Sequence, residues 1–249
     1  MSESGPSHPE RIPYESEKLS GIRKIIAKRM SQSAREAPHF QVAREIDMSR
    51  SVAFRKRLKE TGENITFNDL VLKATALALK MKPRMNCSFE KDELRLFREI
   101  NVGFVVAIED GLTVPVIRET DKKSLAEINA QTGQMAKKAR DKKLTARHTL
   151  GGTFTVSNLG MFDSDAVIPI IFPGQAGILG VGAIRQTAVV VEDKIEIRPA
   201  CKFWLSCDHR AVDGVIAAEF LNALDEILQN PEQLRADNWK QENIDANER

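Results

Sequence analysis

The sequence predicts a mixed α/β fold, a central mixed sheet with helices packed on it. Three observations carry that prediction. Helical and strand-like stretches intermingle along the chain without strict alternation. Hydrophobic residues make up 42% and charged residues 29% of the 249 positions, the balance of a globular chain able to bury a sizeable core. No internal repeat or low-complexity stretch divides the chain, so one domain over residues 18–235 is expected, between a polar leader or linker at 1–17 and a polar tail at 236–249.

Each element follows from local pattern. Residues 1–17 are polar, proline-containing and aperiodic. From Ser20, the run SGIRKIIAKRMSQSARE puts Ile22, Ile25, Ile26, Arg29 and Met30 at helical spacing; Ser20 is its N-cap and Pro38 its stop. HFQVAREIDM then alternates as a strand does, and SRSVAFRKRLKETG is a second helix ending at Gly62. Thr66 and Asp69 cap a third helix, TFNDLVLKATALALKM, which is apolar on most faces and therefore buried. Short strands follow at 87–89 and 94–97. INVGFVVAIED and LTVPVIR are strands joined by the turn Asp110-Gly111, apolar enough to be covered on both sides. SLAEINAQTGQMAKKARDKK is an amphipathic helix with a basic end. GGTFTVSNLG, AGILGVGAI, TAVVVEDKIEI and RPACKFWLSC are further strands, with Asp193 in a tight turn. The last helix, GVIAAEFLNALDEIL, carries apolar residues at Val215, Phe220, Leu224 and Leu228 and ends near Pro231.

Composition also excludes function classes. A net charge of +2 does not point to a nucleic-acid groove or an anionic membrane surface as partner. No apolar run approaches the roughly 20 residues of a membrane span, and the N-terminus lacks the hydrophobic core of a secretory signal. Three cysteines without CxxC spacing (Cys87, Cys201, Cys207) suggest reduced thiols in a cytoplasmic compartment and no disulfide framework. The four histidines are scattered, so no metal is expected.

Chemistry concentrates in two stretches. In SCDHRAVDG, residues 206–214, Asp208 and His209 end a strand and Asp213-Gly214 opens a helix, a corner that can aim side chains into a cleft. An ordinary imidazole, with a pKa of about 6.5, is mostly neutral at neutral pH and can take a proton from a thiol of pKa about 8.5. His209 is thus either a general base or a satisfied structural histidine. Asp213 is either an N-cap accepting the Ile216 amide or a support for the histidine, directly or through an arginine such as Arg23 or Arg29. In GGTFTVSNLGMF, residues 151–162, a strand ends at Ser157-Asn158. The Ser157 hydroxyl is either a turn group or a donor to an oxyanion. The GxSxG elbow is missing, so Ser157 does not look like a nucleophile.

Together these stretches resemble the catalytic core of the dihydrolipoamide acyltransferases, the acyl-transferring components of 2-oxo acid dehydrogenase complexes. LSGIRKIIAKRM, APHF at 37–40, DGLTVPVIR at 110–118 and QAGILGVG at 175–182 extend the resemblance from Leu19 to Leu234. It implies a chloramphenicol-acetyltransferase-like fold and a homotrimer with active sites between subunits. Coenzyme A (or acyl-CoA) enters each site from one end, and the dihydrolipoyl group of a lipoyl domain enters from the other. It also implies decarboxylase and dihydrolipoamide dehydrogenase partners, and a cytoplasmic location or, in a eukaryote, the mitochondrial matrix. Carried over by motif, His209 is the base, Ser157 the oxyanion donor from the adjacent subunit, and Asp213 the supporting carboxylate. The motifs do not identify the acyl group.

Departures from the family pattern set further expectations. The 249 residues hold no lipoyl or peripheral-subunit-binding domain, as expected either of an excised core or of a free-standing protein that uses lipoyl groups carried by another chain. The C-terminal stretch is polar, with Leu234 and Trp239 as anchors, which predicts trimers with weakened or absent cage assembly. IIFPGQ at 170–175 has phenylalanine and glycine where relatives more often have asparagine and a second proline, so the channel wall differs there. Of the other polar residues, His39 is structural and His148 solvated. The basic cluster of Lys137, Lys138, Arg140, Lys142 and Lys143 is a solvated helix face or a contact for coenzyme A phosphates or an acidic lipoyl domain. The rival functions are a non-catalytic core subunit, which would be expected to lose the base or the serine, and a free-standing acyl-CoA-dependent acyltransferase acting on a small molecule.

Overall fold

A six-stranded mixed sheet, ordered across its width as residues 39–47, 194–208, 177–191, 154–158, 102–104 and 116–117, organises the computed structural model, which describes residues 15–109 and 111–235. The expectations for 1–14, for the 236–249 tail with Trp239, and for Asp110 in its turn lie outside the described residues. Helix α1 (Gly21–Glu36) starts where the Ser20 hydroxyl accepts the Arg23 amide and ends just before Pro38. It feeds β1 (His39–Asp47), then α2 (Ser49–Glu60) and α3 (Phe67–Met81). Thr66 and Asp69 form the reciprocal capping box of α3, and every residue of α3 from Asp69 to Leu79 is buried.

Strands β2 (Cys87–Glu90) and β3 (Glu93–Leu96) make a separate hairpin. The two long strands expected over 100–118 are not formed. Each breaks in two: β4 (Val102–Phe104) and β7 (Val116–Ile117) join the main sheet, while β5 (Val106–Ile108) and β6 (Gly111–Thr113) form an outlying ribbon. At the break the Phe104 amide donates to the Pro115 carbonyl and the Val105 amide to the Val156 carbonyl, which is the last rung between 102–104 and the strand at 154–158. Only the inner halves are fully buried. Helix α4 (Leu125–Arg140) is capped by Ser124 and Glu127, and a short α5 (Ala146–Thr149) precedes β8 (Phe154–Asn158).

The three strand stretches expected over 176–207 are two continuous 15-residue strands, β9 (Gly177–Val191) and β10 (Lys194–Asp208), turning at Glu192 and Asp193 in left-handed conformations. Pro199 does not interrupt β10, because it lies just beyond the end of β1 and needs no ladder donor there. The outer half of this pair projects as a ribbon on which Val190 faces Ile195 and Ala188 faces Ile197, leaving Val190, Ile195 and Ile197 exposed.

The core lies on one face of the sheet. Phe203, Leu205 and Cys207 alternate along β10 into it, beneath α3 and α6 (Gly214–Gln229), and Phe154 meets Phe220 with ring centres 5.5 Å apart. Phe220, Leu224 and Leu228 of α6 are buried as expected, each contributing about 1.5–3 kcal/mol by leaving water. Val215 is 68% exposed instead, in a first turn of α6 where its neighbours Asp213 and Gly214 are exposed too. Across the opposite face of β9 runs an irregular strap, residues 163–169. Its backbone passes so close that a Cβ on Gly180 would stand 2.2 Å from the Val167 carbonyl oxygen, and one on Gly182 2.2 Å from that of Asp165. Only glycine fits under it.

Candidate active site

His209 stands at the corner where β10 hands over to α6. Its amide donates to the Pro38 carbonyl at 3.0 Å, and its ring lies 4.6 Å from that of Phe40, tilted by 52°. The imidazole is exposed, and its nitrogens make no hydrogen bond among the described residues, which leaves both available to a substrate. Asp213 is the N-cap of α6: Oδ1 accepts the Val215 amide at 2.9 Å and the Ile216 amide at 3.0 Å. No arginine reaches it among the described residues, so the expected pairing with Arg23 or Arg29 is not formed. Asp213 shapes the corner through backbone donors rather than through an ion pair.

The ion pair at this corner belongs to Asp208. That carboxylate is buried and grips Arg210, whose guanidinium it holds further above the ordinary arginine range. Sequence reading passed over this pair, although both residues flank His209 in the quoted motif. Also missed were Phe40, the ring partner, and Pro38, the backbone acceptor.

Ser157 lies on β8, 8% exposed, and its hydroxyl has no hydrogen-bond partner among the described residues. The next residue locks the strand end: Asn158 accepts the Gly160 amide at 2.9 Å and donates to Asn68 at 3.4 Å. Strand register fixes the distance from Ser157 to His209. Ser157 is level with Gly180, and Gly180 with Trp204, so His209 lies five residues further along β10 and two strands across. At about 3.3 Å per residue and 4.8 Å per strand, the Cα atoms are roughly 19 Å apart. No side-chain rotation brings an imidazole and a hydroxyl of one chain to a common atom over that span.

The remaining candidates are placed as follows. His39 is structural: its Nδ1 lies 2.8 Å from the Ala37 carbonyl and its Nε2 accepts the Ile171 amide at 3.1 Å. It lines a cleft of about 370 Å³ with Pro38, Gln41, Ile168 and Ile170. His148 is half-buried rather than solvated, accepting the Thr145 amide with Lys138 at 3.2 Å on its other nitrogen. The basic cluster remains an exposed helix end with local partners, Lys142 on Glu109 and Lys143 near Asp141. In the 170–175 stretch Gly174 has φ +84°, a conformation closed to proline, so a proline there would force a different loop. The three cysteines are free and buried; desolvation pushes Cys87 up to about 11 and Cys201 and Cys207 up to about 12, so none is a nucleophile at neutral pH. Among the described residues no cluster of three or more His, Cys, Asp or Glu side chains is arranged to hold a metal, and no helix is long and apolar enough to cross a membrane.

Comparison with known proteins matches residues 12–236 to the family of 2-oxoacid dehydrogenases acyltransferase (catalytic domain). The chain is 41% identical over 222 residues to the dihydrolipoyllysine-residue succinyltransferase component of the 2-oxoglutarate dehydrogenase complex of Rickettsia typhi, covering 87% of this chain and 56% of that protein. It is 40% identical over 224 residues to the mitochondrial dihydrolipoyllysine-residue acetyltransferase component of the pyruvate dehydrogenase complex of Schizosaccharomyces pombe, covering 88% and 46%. The chain thus spans about half the length of the curated relatives it matches. Its fold superposes on the dihydrolipoamide acetyltransferase of Azotobacter vinelandii with a TM-score of 0.87 at 31% identity, over 92% of this chain and 99% of that one. In that enzyme the roles of a serine, a histidine and an asparagine in catalysis have been investigated.

Proposed function

Because the chain belongs to the 2-oxoacid dehydrogenase acyltransferase family, we propose that it transfers an acyl group between coenzyme A and the dihydrolipoyl group of a lipoyl domain, as part of a 2-oxo acid dehydrogenase complex. The acyl group is left between acetyl and succinyl, the types carried by the relatives named above, or a branched acyl group. Decarboxylase and dihydrolipoamide dehydrogenase subunits are the expected companions. The compartment is the cytoplasm or, in a eukaryote, the mitochondrial matrix, a reading supported by three free thiols.

The observation that carries this reading is a spacing. The serine, histidine and asparagine investigated in the A. vinelandii enzyme stand at the same sequence separations as Ser157, His209 and Asp213 here. In the proposed reaction the His209 imidazole takes the proton of the attacking thiol. The new thiolate adds to the thioester carbonyl, and the Ser157 hydroxyl donates to the oxyanion of the tetrahedral intermediate. Collapse expels the second thiolate, which takes the proton back from the imidazolium. One base serves both directions, as suits an exchange of one thioester for another. Asp213 acts as the helix cap; asparagine caps as well as aspartate, so the replacement between the two enzymes keeps the function.

The separation of roughly 19 Å within one chain supports a site shared between subunits, with His209 from one and Ser157 from the next. The exposed apolar residues at the start of α1 (Ile22 and Ile25, with Leu19 just before its cap) and of the β9–β10 ribbon (Val190, Ile195, Ile197) supply surface for such an assembly, a homotrimer in this reading. The test is transfer from acetyl-, succinyl- and branched acyl-coenzyme A to free dihydrolipoamide. One donor should be used with a rate that His209→Ala nearly abolishes while the assembly persists. Near-normal turnover of that variant rules out His209 as the base.

A further inference from the structure

The turn that carries His209 is held from both sides. Asp208, 4% exposed, gives its whole carboxylate to residue 210: Oδ1 accepts the Arg210 amide and Nε, each at 3.0 Å, and Oδ2 accepts from Nη2 at 2.8 Å. The Arg210 guanidinium carbon then lies 4.7 Å from the centre of the Phe89 ring on the β2–β3 hairpin. Between the two charged residues His209 hangs by its amide from Pro38 and rests its ring on Phe40. We infer that Arg210 is a positioning residue: its fork on Asp208, backed by Phe89, fixes the backbone on either side of His209 and cancels the buried carboxylate's charge beside the imidazole. This rests on the reading of His209 as the base.

The chemistry is specific to arginine. A planar guanidinium can meet a carboxylate with two parallel donors and still present a face to an aromatic ring; an ammonium, a compact point charge, has no planar fork with which to do both at once. The other titratable groups around the turn are Cys207 before it, Asp213 after it, His39 on β1, Glu36 at the end of α1, Cys87 at the start of β2, and Arg84 three residues ahead of Cys87. Glu36 acts on Arg210, and Asp208 raises both Cys87 and Cys207. Removing Arg210 leaves Asp208 as an uncompensated buried anion next to His209 in the chain.

The test uses the assembled enzyme and its kcat, KM and pH profile. Arg210→Met should lower kcat about tenfold with little change in KM and move the acid limb of the profile up by at least about half a pH unit, because a bare carboxylate keeps the base protonated. Asp208→Asn leaves an unpaired cation at the same place and should move that limb the other way. Arg210→Lys should restore the limb but only part of kcat, and Phe89→Leu should lower kcat with the limb in place. The last two keep the charge pair and serve if either of the first fails to fold. A limb that stays put in both Arg210→Met and Asp208→Asn, or full kcat in Arg210→Lys and Phe89→Leu, overturns the inference while leaving the base reading intact. High activity in His209→Ala overturns the base reading itself, and the clamp then has nothing to position.

Discussion

Two inactive variants should make an active enzyme when mixed. His209→Ala removes the base, and Ser157→Ala removes an oxyanion donor of the kind whose loss costs about 10²–10³ in kcat, roughly 3–4 kcal/mol. Within one chain the two residues stand roughly 19 Å apart along the sheet, whereas both must come within hydrogen-bond reach of one thioester. If each site takes His209 from one chain and Ser157 from the next, a ring of randomly mixed subunits contains intact sites wherever a Ser157→Ala chain precedes a His209→Ala chain. An equal mixture, unfolded and refolded together, should then recover about a quarter of wild-type transfer, and a three-to-one mixture about a fifth. The assay is acyl transfer to dihydrolipoamide, with light scattering and mass spectrometry confirming hybrid assemblies. Hybrids with no more activity than the two parents combined would refute the shared site, and with it the separation read from the strand register.

Asp213→Asn should keep both activity and stability, while Asp213→Ala should lose about 1 kcal/mol from the uncapped end of α6, seen as a lower melting temperature. The three thiols should resist a thiol reagent in the folded protein at pH 8 and react together only on unfolding. Burial holds them at about 11 for Cys87 and about 12 for Cys201 and Cys207, so the thiolate is scarce until the pH nears those values. Gly180→Ala should cost about 1–3 kcal/mol in denaturant unfolding, because its methyl group would press on the Val167 carbonyl at 2.2 Å.

What was legible in the sequence is what short-range physics decides. The Ser20 cap, the Thr66–Asp69 box and the burial of α3 follow from neighbours three or four residues apart and are present as expected. The breaks near Val105 and Val114 were not legible in the apolar pattern, which runs almost unbroken through both stretches while the strands divide between two sheets. The unity of β9 was hidden by its change of character, from fully buried near Leu179 to half-exposed beyond Arg185, where the ribbon leaves the core. At the site, motif and spacing nominate His209, Ser157 and Asp213, whose proposed roles the transfer and mixing assays test. Which arginine pairs with which aspartate could not be read so. Arg210 and Asp208 are two residues apart, and nothing in that spacing distinguishes a bidentate clamp from two solvated charges; the burial of Asp208 makes the difference.

The strap at 163–169 has a bearing on the order of events in folding. Its seat on Gly180 and Gly182 exists only after β9 has been laid between β8 and β10, since the seat is the flat of the finished sheet itself. Late docking and early release go together, and amides such as that of Ala183, which donates to Ser164, would report the strap lifting while the ladder beneath stays closed. A molecule assembled in that sequence shuts the back of its sheet last, like the lid on a box already packed.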